Sequence, residues 1–167
     1  LINIMTIGEA LLENAGLTDG EGDELIVTEL VNLLKTSADF NSAASIKSIL
    51  DTTAATLDQT IQSKALALTS DISLSLANLN KQISEAGSIS QIATVQKVAL
   101  DDEGSFLTSL VNAVSSGLTS LTVLSTADVL QASKAAALTL DVNVAPFITL
   151  DALVQVKENI IAGDGFI

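Results

Sequence analysis

The strongest constraint on this chain lies between Ile46 and Ile83, where apolar residues recur every eleven positions. Ile46, Leu57, Leu68 and Leu79 form one row, Leu50, Ile61, Ile72 and Ile83 a second, and Ala54, Ala65 and Leu76 a third. Steps of four, four and three average about 3.67 residues per turn, the hendecad pattern of helices that pack along a continuous stripe. No Gly or Pro occurs between Gly22 and Gly87. The spacing predicts one long helix over about 42–86, ended by Gly87, or a helical hairpin over the same residues. A single helix would be about 65 Å long at 1.5 Å per residue, whereas a compact chain of this length is roughly 40 Å across. One helix therefore implies an elongated molecule. A break, for which Thr69-Ser70-Asp71 is a good cap sequence, implies a bundle.

Most of the remaining chain also reads as helix. Ile4, Ile7, Leu11 and Leu12 share a face ahead of Gly16, and Leu25, Ile26, Leu30, Leu33 and Leu34 share another after an acidic glycine-rich loop. Ser88 with Gln91 resembles a capping box in front of Ile89, Ile92, Val95 and Ala99. Phe106, Leu110 and Val114 recur at helical spacing before Gly117, and Ser125 can cap a helix to about Leu138. Leu138, Leu140, Val142 and Val144 alternate with Thr139, Asp141 and Asn143, which is strand period; Pro146 limits this to an extended segment near 138–148. Thr149 caps a last helix. The expected fold is all-α, a multi-helix bundle in a single domain over 1–167, elongated if residues 42–86 form one helix.

Residue chemistry narrows function by exclusion. The chain carries 20 Asp plus Glu against 7 Lys, a formal charge of -13, and contains no Arg, His, Cys, Trp or Tyr. Disulfides, Cys or His metal sites and a Ser-His-Asp triad are impossible, and no Ser stands three residues before a Lys. Nucleic acid is excluded as a partner, because phosphates need cations and single strands need aromatic platforms. The charge also opposes an anionic membrane surface. No catalytic residue and no cofactor is expected. Apolar residues make up 48% and mean hydropathy is +0.51, so the chain folds despite its charge. In composition it resembles flagellins, surface-layer proteins and some secreted insect proteins, although no motif carries that resemblance. The chain begins at Leu1 with no basic segment ahead of a long apolar run, as expected of a processed product or fragment without a signal peptide.

Three local patterns invite a specific reading. Asp19, Glu21 and Asp23 alternate like the first ligands of a calcium loop, but Glu24 stands where its glycine belongs and Leu30 at its twelfth position. They are weak calcium candidates. Residues 104–127 carry no charge, and two glycines with many Ser and Thr make a buried helical hairpin a better reading than a membrane span. Lys47, Lys64 and Lys81 recur every seventeen residues and do not line one edge of the stripe, as snorkelling lysines of a lipid-surface helix would.

The leading expectation is a non-enzymatic, secreted structural protein that self-associates into an oligomer or filament by helical packing. Its contact residues would be Ile46, Leu50, Leu57, Ile61, Leu68, Ile72, Leu79 and Ile83, with Phe106, Leu110 and Val114. The alternative is a carrier of an apolar small molecule or lipid, or a surface-active protein.

Overall fold

The computed structural model describes residues 1–36, 39–101 and 104–139, with backbone alone at Leu138 and Thr139; every regular element among them is an α-helix. The elements are α1 (Ile2–Ala15), α2 (Glu21–Leu34), α3 (Ala43–Ala55), α4 (Gln59–Leu66), α5 (Thr69–Ser84), α6 (Ile89–Leu100), α7 (Phe106–Ser115) and α8 (Thr126–Thr139). Cα packing separates Leu1–Ala137 from Leu138–Ile167.

α1 is the central element. Ile4, Ile7, Leu11 and Leu12 are fully buried, and the helix packs against α2, α3, α4, α6 and α7. Gly8 allows that density: a Cβ there would stand 2.9 Å from Ile26 Cδ1 and 3.3 Å from Leu50 Cδ2. Gly16 ends the helix at φ 125°, a region other residues rarely adopt, and its N–H is bonded to the carbonyls of Leu12 and Glu13.

The eleven-residue stripe is not one helix. It folds as three: α3, the short α4 and α5. Asp58 makes the first break, because its carboxylate accepts the N–H groups of Thr60 (2.9 Å) and Ile61 (3.2 Å) and starts α4 afresh. A side chain that offers the backbone this alternative competes with helix continuation. The second break falls just ahead of Thr69-Ser70-Asp71, with α5 opening at Thr69. α3 and α5 then pack on each other, so the segment is part of a bundle, built from three helices where a long helix or a two-helix hairpin is expected.

Residues 104–127 also depart from expectation. α7 forms as its spacing predicts, but Leu118–Ser125 is not helical. It is a strap laid along α5, whose polar residues Asp71, Ser75 and Asn78 hold its backbone. Leu121 N–H donates to Asp71 Oδ2 (2.8 Å), Leu124 N–H to Ser75 Oγ (3.0 Å), and Asn78 Nδ2 to the Leu124 carbonyl (2.6 Å). The segment does not form a helical hairpin. The Ser125 cap does form, exchanging hydrogen bonds with Asp128 at the start of α8. α8 continues to Thr139, so the first two residues of the expected extended segment are helical, and its remainder lies outside the described residues. No described helix is long and apolar enough to cross a membrane.

Candidate functional site

The expected contact residues between copies lie inside one copy. Ile46, Leu50, Leu68, Ile72, Leu79, Phe106, Leu110 and Val114 are buried in the core, and Leu57, Ile61 and Ile83 pack partly buried against it. The stripe closes on itself because α3 and α5 fold back on each other. These side chains leave little apolar surface for a second copy. The apolar surface that remains lies elsewhere, including Val27, Val31 and Leu34 along α2, each at least 39% exposed.

The weak calcium candidates are also rearranged. Asp19 does not group with Glu21 and Asp23. It joins Glu9 and Glu13, one turn apart on α1, with one carboxylate oxygen of each within 4.8 Å of the others. Glu13 Oε1 accepts the Gly20 N–H at 2.9 Å. Gly22 lets α2 start close to α1, its virtual Cβ 3.4 Å from Glu9 Cα, which brings Asp23 to Glu9. Desolvation raises the Glu9 pKa above its usual 4.5, helped by repulsion from Asp23 and Glu13, a side-chain hydrogen bond with Asp23 and repulsion from Asp19. The alternating acids of the loop gave no sign of Glu9 and Glu13, because only the packing of α2 on α1 brings them in.

An open groove of about 460 Å³ lies where the start of α1, the loop at Phe40, the end of α5 and the middle of α6 meet. Leu1, Ile2, Phe40 and Ile83 supply apolar walls, and Asn3, Asn80, Ser84 and Gln96 the polar groups. Asn3 is 1% exposed, yet neither Nδ2 nor Oδ1 has a hydrogen-bond partner, and the buried Oε1 of Gln96 also lacks one. Leaving a buried amide atom unpaired costs about 1–3 kcal/mol, so three in one groove are a local anomaly. Asn80 Nδ2 and Ser84 Oγ are committed, to the carbonyls of Phe40 and Lys81, each at 2.8 Å. Among the described residues no charged side chain lines the groove, and burial lowers the pKa of the Leu1 α-amino group beside it.

None of these amides stood out in the sequence. The signal was there in a weaker form. Asn3 precedes Ile7 and Leu11 at steps of four, Asn80 continues the row of Leu76, and Gln96 follows Ile92 by four. Each is an amide set on a core-facing helical row. No known family, curated protein or solved structure matches this chain.

Proposed function

We propose that this protein is a non-enzymatic carrier of an apolar or amphiphilic small molecule. The observation that supports it is the groove at Asn3 and Gln96: apolar walls, unpaired amides and a volume in the range of small-molecule sites. A chain without His, Cys or Arg is poorly equipped for catalysis, but binding needs only shape, apolar surface and a few polar atoms. An extracellular, secreted setting belongs to the same proposal and is supported by composition alone.

The test is saturable binding of Nile red, a neutral apolar dye, to the full chain. One site per chain is expected, with affinity reduced several-fold by Ile2→Ser. Ile2 is 64% exposed, so the fold tolerates that change. Weak, non-saturating dye uptake, or an Ile2→Ser variant that binds as the parent does, would remove this reading. Organic extraction of native material with mass spectrometry reads out the natural occupant.

Self-association retains one supporting observation of its own. Val27, Val31 and Leu34 recur along the exposed face of α2, so copies would meet there and not along the eleven-residue stripe. A monomer by light scattering at high concentration would rule this out.

A further inference from the structure

We infer that two copies of this chain pair through α2, antiparallel about a twofold axis between Val27 and Val31, and that the assembly closes at the dimer; this rests on the self-association reading and specifies its geometry. α2 packs on α1 and α3, burying Ile26 and Leu30, while Val27, Val31 and Leu34 stay exposed. At 100° per residue these three fall within about 60° of one another. A narrow apolar stripe stepped by four and three residues is a coiled-coil seam.

Charge sets the direction of pairing. Glu21, Asp23 and Glu24 occupy the first turn of α2, and Lys35 is its C-cap. Glu21, Glu24, Thr28 and Lys35 follow one edge of the stripe. The Glu9, Glu13 and Asp19 carboxylates stand at the same acidic end, where Glu13 accepts the N–H of Gly20 just ahead of α2. Parallel pairing would bring two acidic ends together and set Lys35 against the partner's Lys35. Antiparallel pairing stacks Val27 on the partner's Val31 and brings Lys35 level with the partner's Glu21 and Glu24. It also separates the two acidic ends by about 18 Å along the helix, beyond a screening length of about 8 Å. Opposed helix dipoles favour the same arrangement. A twofold contact uses one patch on both copies, so it closes at two and does not propagate into a filament. The seam is about 21 Å long and each copy carries a charge of -13, so the dimer is a weak one.

The experiment is sedimentation equilibrium of the full chain over a concentration series at about 0.15 M NaCl. The parent should show a monomer–dimer equilibrium with nothing larger. Val31→Glu should abolish it. Lys35→Glu should weaken it about tenfold, well beyond the effect of Lys64→Glu, which makes the same change in net charge on α4. Adding Glu21→Lys and Glu24→Lys to the Lys35→Glu chain should restore it. All of these side chains are exposed, so the fold is retained. The chain has no Cys, so single cysteines report direction. Thr28→Cys, beside the axis, should cross-link with a short bismaleimide, and Lys35→Cys, about 18 Å from its symmetry mate, should not. A monomeric parent would leave the face to a partner of other chemistry, and association that survives Val31→Glu would place the contact elsewhere; either overturns the pairing and the α2 self-association reading together. If Val31→Glu abolishes association but Lys35→Glu acts no more strongly than Lys64→Glu, the antiparallel dimer is overturned while association through α2 stands. The same holds if Lys35→Cys cross-links, if Thr28→Cys does not, or if larger species form.

Discussion

At the scale of single residues, the molecule is shaped by a few polar side chains. Asp58 ends a helix that the stripe would continue, and Asn3 and Gln96 bring unpaired amides to a core edge. Glu9 is a third case, a carboxyl crowded by Asp23, Glu13 and Asp19. Its pKa in the fold lies above its usual 4.5, so at neutral pH the folded state carries a penalty that the unfolded chain escapes. Below pH 4.5 both states are mainly protonated and the penalty disappears. Glu9→Gln should therefore raise Tm at pH 7. The gain should shrink as pH falls through the carboxylate range and be absent near pH 3, as melting curves across pH would show. A gain that persists in acid would mean that the crowded carboxylate is not its cause.

At the scale of elements, α5 has two working faces. Ile72, Leu76 and Leu79 enter the core, while Asp71, Ser75 and Asn78 hold the 118–125 strap. Asn78 makes two of these bonds, since its Oδ1 also accepts from Thr126 Oγ1 at 3.3 Å. Asn78→Ala should destabilise the fold by about 1–3 kcal/mol, because it strands the Leu124 carbonyl. The loss should be local as well as global: amide exchange at Leu121–Ser125 should accelerate more than exchange in α1. Uniform acceleration across both would mean that the strap is held by something other than α5. The strap was not legible in the sequence because Leu118, Leu121 and Leu124 keep helical spacing. The irregular segment is held in this fold by partners about 50 residues earlier in the chain.

At the scale of the whole molecule, the charge imbalance acts against compactness. Twenty acids face seven lysines. Ion pairs among the described residues, Lys47–Asp51, Lys81–Glu85 and Lys97–Asp101, are i,i+4 contacts on helix surfaces. Exposed pairs of this kind contribute little, so net repulsion among the acids dominates the electrostatics. Raising NaCl from about 0.01 to 0.5 M, which shortens the screening length from about 30 Å to a few ångströms, should therefore raise Tm. A fall in Tm with salt would mean that favourable pairing outweighs repulsion.

By itself the sequence determined the all-helical class, because apolar periodicity is a local property and each helix shows it within its own turns. Most helix ends were equally local: Gly16, the Ser88 and Ser125 caps, and the second break of the stripe at Thr69 are written in a few adjacent residues. The exclusion of disulfides, of Cys or His metal sites and of a Ser-His-Asp triad also followed from composition alone. The tertiary structure decided which apolar face meets which. A stripe of suitable period packs as well against another part of its own chain as against a second copy, and the fold-back through the breaks at Asp58 and Thr69 chose the former. It also decided the candidate site. Asn3, Phe40, Asn80 and Gln96 come from four separate parts of the chain, and what marks Asn3 and Gln96 is an unmet hydrogen-bonding need, which exists only once packing has removed the water.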